Sequence, residues 1–332
     1  MEGNKGVGLD VGTNMLISAI MGEDNKPIYK KQRDAFFKIV PKSKVNRKSI
    51  LMALENRKSN FIIDGNDFIV VGEDALLMAN ERNAVARRPM SKGVLSPREK
   101  SSLPMIKLII ESIIGKGGGE SNLVFSIPAE PVDGDFDIFF HTEMMKSYLK
   151  EIGFLASPIN EGLAVAFSEL LDDNLTGVCL SLGAGMINVT ICYEGDPIVQ
   201  FSLTKGGDWI DQAVGKAIDM TSSMVQIEKE QGNIDIINPQ DKIQEAIAVY
   251  YGVLINYILD NVIYELDNHK LPSFRDPMSL VVSGGLVLAN GFVEKFTPAL
   301  NSRKFPFEIK EVRKAKDPML CVAHGALLAS TL

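Results

Sequence analysis

Apolar and polar positions follow two periods along this chain, and the switches between them divide it into elements. Apolar runs broken by a polar residue and glycines, then resumed, predict two β-hairpins, over residues 6–29 and 177–202. Between about residue 30 and residue 90, short β-like runs (Phe61-Ile62-Ile63 and Phe68-Ile69-Val70-Val71) alternate with charged stretches, and a helix is expected over 73–80. Helical spacing predicts further helices over 103–114, 136–152, 161–171, 210–220, 243–266 and 319–331. Continuous apolar runs predict buried strands over 122–127, closed by Pro128, and over 279–282. Residues 222–242 read as a polar stretch without a regular period.

The order hairpin, strands, helices occurs twice. Such an internal duplication fits a fold of class α/β with two lobes and a cleft between them. The first lobe core is expected over 1–30 and 91–160, with a small insert over 31–90. The second is expected over 161–221 and 243–332, with a reduced insert over 222–242.

The two hairpin turns carry the chemistry. The first reads Val7-Gly8-Leu9-Asp10-Val11-Gly12-Thr13-Asn14, the second Val178-Cys179-Leu180-Ser181-Leu182-Gly183-Ala184-Gly185-Met186. Glycine turns of this kind present bare backbone N–H groups, and two facing each other would wrap a polyphosphate from both sides. Three more motifs follow: Lys205-Gly206-Gly207-Asp208-Trp209-Ile210-Asp211 opening a helix, Ser283-Gly284-Gly285-Leu286 after a buried strand, and Asp317-Pro318 leading to Gly325. Glycines there allow close backbone approach, and a carboxylate can hold ribose hydroxyls or orient the loop. By contrast, Gly115-Lys116-Gly117-Gly118-Gly119 lacks the Gly-Lys-Ser/Thr ending of a phosphate loop and reads as a surface turn.

Composition narrows the class. The chain has 332 residues, 45% hydrophobic and 23% charged, with a net charge of −7. That balance is ordinary for a soluble globular protein and argues against nucleic acid as a partner. The basic run from Lys42 to Lys48 reads as a solvated loop or domain edge. Cys179, Cys192 and Cys321 have no metal-ligand spacing and read as buried, reduced thiols. The N-terminal Met1-Glu2-Gly3-Asn4-Lys5 shows no apolar signal region, and no run is expected to approach the length needed to span a bilayer, so a cytoplasmic location is expected.

Together, in this order, the five motifs resemble those of the actin, sugar-kinase and heat-shock-chaperone ATPase superfamily. Within it the chain looks most like the bacterial actins of the MreB and MamK type, also through Arg88-Pro89-Met90-Ser91-Lys92-Gly93-Val94-Leu95. The resemblance covers residues 6–330. It implies a two-lobed actin-like ATPase fold with ATP or ADP and Mg²⁺ in the interlobe cleft. Asp10 would hold the metal through water, and Gly12, Thr13 and Asn14 would line the phosphates. Gly183, Ala184 and Gly185 would close over them. Gly206, Gly207 and Asp208 would lie near the ribose, with Gly284, Gly285 and Leu286 beneath the adenine.

The chain departs from that pattern in the second turn, in the catalytic carboxylate and in length, with only the short polar stretch 232–241 where bacterial actins carry a further subdomain that contributes to longitudinal contacts. Ser181 stands where the second turn of the family has an aspartate, so the metal would rely on Asp10 and the phosphates, and Ser181→Asp would raise hydrolysis if the missing acid limits it. Asn188 likewise replaces an acidic residue. The glutamate that orients the attacking water has no direct counterpart, since an ungapped comparison puts Phe140 there. Asp137, His141 and Glu143 lie within a helical turn of it as substitutes, each reading equally as an ordinary solvent-facing residue. The expected function is thus an actin-like filament protein that self-assembles head to tail, scaffolds or positions a cargo, and hydrolyses ATP slowly or not at all. Cargo or adaptor proteins are the other expected partners, with no direct membrane insertion. Two alternatives stay open: a non-hydrolysing nucleotide-binding regulator, and a small-metabolite kinase using Asp133, Asp135 or Asp137.

Overall fold

The computed structural model describes residues 6–119, 121–231 and 233–332. The N-terminal residues 1–5, Glu120 and Gly232, which the expected lobe boundaries and reduced insert include, lie outside them.

Lobe I opens with the meander β1 (Val7–Val11), β2 (Met15–Met21) and β3 (Pro27–Arg33). The insert follows, as β4 (Phe36–Ile39), α1 (Lys44–Arg57), β5 (Phe61–Asp64), β6 (Asp67–Val71) and α2 (Glu73–Asn80). The chain returns through the short pair β7 (Met90–Ser91) and β8 (Val94–Leu95) to α3 (Ser102–Ile114), β9 (Ser121–Ile127), α4 (Phe139–Glu151) and β10 (Phe154–Asn160). After α5 (Glu161–Glu169), lobe II repeats the meander as β11 (Gly177–Leu182), β12 (Ile187–Tyr193) and β13 (Asp196–Leu203). Then come α6 (Gly207–Ile218), α7 (Ser222–Gln231), α8 (Lys242–Asn268), β14 (Met278–Ser283), α9 (Phe292–Asn301), β15 (Ile309–Lys314) and α10 (Cys321–Ala329).

The duplication is exact in topology. One five-stranded sheet runs β10-β9-β1-β2-β3 and the other β15-β14-β11-β12-β13. In each, the first hairpin strand pairs antiparallel with its neighbour on one side and parallel with a later strand on the other. Parallel neighbours need crossovers, and helices supply them. Separate cores form in lobe I, lobe II and the insert.

The lobes join through α5 and α10, which pack on each other and carry a core of their own. Gly325 makes that approach possible: a Cβ there would sit 1.7 Å from the Ala164 carbonyl oxygen. All three cysteines are buried and free, as their apolar surroundings suggested.

Several elements differ from expectation. The basic run is the start of α1, where the Ser43 side chain accepts the Asn46 N–H. Residues 222–231 of the polar stretch form α7, and β10, β15 and α9 have no counterpart in the sequence reading. Helix α8, 27 residues long with an 18-residue stretch of mean hydropathy 1.5, is long and apolar enough by length and composition to span a bilayer. Its apolar face, including Ile247, Leu254, Ile258 and Val262, instead lies in the lobe II core.

Candidate functional site

The two hairpin turns meet across the cleft. In the first, pairing ends at Val11 and Leu16; in the second, at Leu182 and Ile187. Gly185 presses so close to the other turn that a Cβ would lie 2.3 Å from Thr13 Oγ1. The linker between β7 and β8 threads the same gap, with the Gly93 N–H donating to Thr13 Oγ1 at 2.9 Å.

Two adjoining cavities follow from this meeting, of about 110 and about 430 Å³. The smaller holds Asp10, Gly12, Thr13 and Gly185 together with Gly284. The larger holds Gly207, Asp208 and Leu286. Asn14, Gly183, Ala184 and Gly285 line both. Residues from five separate stretches of sequence, Pro318 and Met319 of the last motif included, thus converge on these adjoining cavities, of a size suited to a small-molecule ligand.

The remaining expected residues lie elsewhere. Gly206 lines neither cavity; its carbonyl accepts the Trp209 N–H, and its Cα packs on the Ala184 carbonyl. Asp137 is exposed and accepts the Phe139 N–H at the start of α4, and Glu143 is exposed on that helix; neither lines a cavity. His141 is buried, and its Nδ1 accepts the Leu95 N–H at 3.2 Å. Burial pulls that imidazole down to about 4, which leaves it neutral at pH 7. Phe140 is 64% exposed.

The sequence reading missed Glu161, and it changes the electrostatics. As the first residue of α5 it follows the Asn160 N-cap, whose side chain accepts from Gly162 and Leu163. That placement projects the carboxylate into the smaller cavity with Asp10. Glu161 Oε2 accepts the Ser181 hydroxyl at 2.9 Å, and Asp10 Oδ1 accepts the Ser126 hydroxyl at 3.0 Å. The carboxyl group absent at Ser181 is therefore supplied from the neighbouring helix. Burial pushes both carboxyls up toward neutrality; Asp10 further raises Glu161, and the hydroxyl donors only partly offset this. Among the described residues, no group of three or more His, Cys, Asp or Glu is placed to hold a metal ion.

The other residues missed are on α7, whose polar sequence gave no helical period. Gln226, Lys229 and Glu230 line the larger cavity. Lys229 pairs with Asp211 at 2.7 Å and donates to the Gly207 carbonyl at 3.0 Å. Asp208, expected near a ribose, accepts Arg88 Nη1 on both carboxylate oxygens at 2.9 Å. The Gly207 and Asp208 N–H groups donate to the carbonyls of Gly183 and Ala184, which docks α6 on the second turn.

A family model described as Volactin matches residues 6–330. The chain belongs to the Volactin family. Solved structures extend the comparison in fold. The MamK double helical filament superposes with a TM-score of 0.72 at 18% identity, over 99% of each chain. The MreB 5 of Spiroplasma citri bound to AMPPNP gives 0.68 at 17% identity, over 98% of this chain and 95% of that one. The ethanolamine utilization protein EutJ from Carboxydothermus hydrogenoformans gives 0.57 at 13%, over 99% and 91%. A search of curated proteins by sequence finds no match. The fold is the two-lobed actin-like fold that the motifs implied.

Proposed function

We propose that this Volactin family member binds Mg-ATP in the cleft between its lobes and assembles head to tail into filaments that scaffold or position a cellular cargo in the cytoplasm. The observation that carries this reading is the meeting of the two glycine turns over a pair of half-buried carboxyl groups. Backbone N–H groups would attract the phosphates, while Asp10 and Glu161 offer the hard oxygens Mg²⁺ favours. The metal would neutralise phosphate charge there, and would relieve the crowding of two carboxylates in a buried space. The larger cavity, floored by Gly285 and Leu286, would take the adenosine. Supporting the reading, the relatives in fold include a MamK filament and an MreB 5 bound to AMPPNP. Closed heterologous contacts between identical copies grow into open filaments unless the rotation closes a ring.

Hydrolysis in this reading is slow or absent. Asp10 and Glu161 are the acidic residues lining the smaller cavity, while Asp137 and Glu143, the sequence candidates for orienting water, lie outside it. Positioning of that water contributes much of phosphoryl-transfer catalysis. The same observation favours a second reading, a regulator that binds nucleotide and a protein partner without turnover. Sedimentation and electron microscopy with ATP, with ADP and without nucleotide test the choice. ATP-dependent filaments are expected; a protein that binds ATP yet stays soluble at high concentration would favour the regulator.

A further inference from the structure

Arg33 ends β3, and Asp34 and Ala35 then lead the chain from lobe I into β4 of the insert. The Arg33 side chain is only 13% exposed and donates to three separate parts of the molecule. Nη1 and Nη2 grip the two carboxylate oxygens of Glu230, on α7 of lobe II, at 3.0 Å each. Nη1 also reaches Asn14 Oδ1 in the first glycine turn at 3.2 Å, and Nε reaches Glu73 Oε2 on α2 of the insert at 3.3 Å. Asn14 is tied in turn to lobe II, donating to Glu230 at 3.1 Å and accepting from Gln226 at 3.1 Å.

Where the chain returns from the insert, a second arginine also reaches lobe II, through Nη1 to a carboxylate and Nη2 to an amide. Arg88 holds both oxygens of Asp208 at 2.9 Å and the Gln226 side chain at 2.9 Å. The two segments that connect the insert to lobe I thus each place a guanidinium on lobe II. A guanidinium fork matches a carboxylate through two parallel bonds, a geometry a lysine ammonium does not reproduce.

We propose that Arg33 is a positioning residue whose junction with Glu230, Asn14 and Glu73, doubled by the Arg88–Asp208 pair, clasps the cleft shut and sets how fast a bound nucleotide leaves. The rate part rests on the nucleotide reading above. Arg33, Asn14 and Glu230 line the larger cavity, so a ligand seated there lies behind the clasp. Opening the lobes requires both ion pairs to break. Through Glu73 the same guanidinium also ties the insert to the closed state.

The test is a double-mutant cycle on dissociation of a fluorescent ATP analogue, using Arg33→Gln, Glu230→Gln and the double variant. Each single change is expected to speed dissociation about tenfold, and the double change no further, because both remove one interaction. Unchanged rates, or effects that multiply in the double variant, overturn the proposal. A second measurement needs no nucleotide. The native cysteines are buried, so Lys48→Cys and Val249→Cys, at exposed positions on the insert and on α8, can carry a fluorescence energy-transfer pair. Arg33→Gln and Glu230→Gln are expected to weaken transfer, as is high salt; unaltered transfer in both variants overturns the clasp. A wild-type protein that binds no nucleotide would instead sink the nucleotide reading and leave the transfer measurement to decide the clasp.

Discussion

The Ser181 hydroxyl donates to Glu161 Oε2 at 2.9 Å, so a side chain of lobe II's first strand supports an acid at the start of the helix that joins the lobes. The serine is not a gap in a ring of charge. It is the donor that steadies the carboxylate already present.

A new acid at this position would therefore face Glu161 at close range in a buried site. The Ser181→Asp variant is expected to melt at a lower temperature than the wild type without metal, and to recover most of the difference with excess Mg²⁺. It is not expected to hydrolyse ATP faster. Thermal melts with and without Mg²⁺, alongside phosphate release, check this. Faster hydrolysis in Ser181→Asp would show instead that the missing aspartate limits the reaction.

The carboxyl pair also sets a pH dependence. Asp10 and Glu161 hold protons in the folded chain to higher pH than they do unfolded, chiefly because burial disfavours their charged forms. The folded state then binds more protons than the unfolded one, so this contribution to stability falls as pH rises from about 4 to about 8. Added Mg²⁺ with nucleotide favours the ionised pair and should flatten that slope. Melting temperatures across this range, free and loaded, are the measurement. In Asp10→Ala the ligand-free slope should shrink and Mg-ATP affinity should drop; an unaltered affinity would count against the site.

Two glycines of the cleft differ in what they tolerate, Gly185 at the phosphate end and Gly207 in the larger cavity. At Gly185 a Cβ would meet Thr13 Oγ1 at 2.3 Å and the Gly93 N at 2.9 Å, so the turns would have to part. At Gly207 the nearest atom to a Cβ is 3.4 Å away, the end of the flexible Lys229 side chain. Gly185→Ala is expected to abolish ATP-induced thermal stabilisation, whereas Gly207→Ala keeps it. Equal behaviour of the two variants would mean that close approach of the turns does not govern binding.

What was legible in the sequence was whatever left a local signature. Gly12, Gly183 and Gly284 sit at strand ends where only a turn explains the pattern, and the apolar periods of β1, β11 and α8 stand out without knowledge of their partners. Glu161 was not legible because its role depends on β10, an edge strand whose Leu155 and Pro158 are exposed or partly so, leaving no clean alternation. Helix α7 was missed for a related reason. Only Val225 is buried there, and its polar face is held by Arg33 and Arg88, which are far away along the chain. Long-range polar contacts of that kind leave no period to read.

The loop after β9 separates the filament reading from a kinase on the same fold. Asp133 is the first of the three aspartates, with Asp135 and Asp137, that kept a catalytic base open after Pro128. Its oxygens instead accept the Thr204 N–H at 2.8 and 3.1 Å, the Thr204 hydroxyl at 3.1 Å and the Tyr257 hydroxyl. The neighbouring backbone extends β13 across the lobes, with Val132 N–H donating to the Ser202 carbonyl and Ser202 N–H to that of Glu130. A base must keep a lone pair within reach of the proton it takes, and Asp133 is engaged as an interlobe tether. Asp133→Ala is accordingly expected to cost about 1 kcal/mol of stability, mostly through the Thr204 and Tyr257 donors left behind. No sugar phosphorylation is expected from the wild type in a panel of candidate substrates. Transfer to any of them that disappears in Asp133→Ala would identify that carboxylate as a base and reverse the assignment.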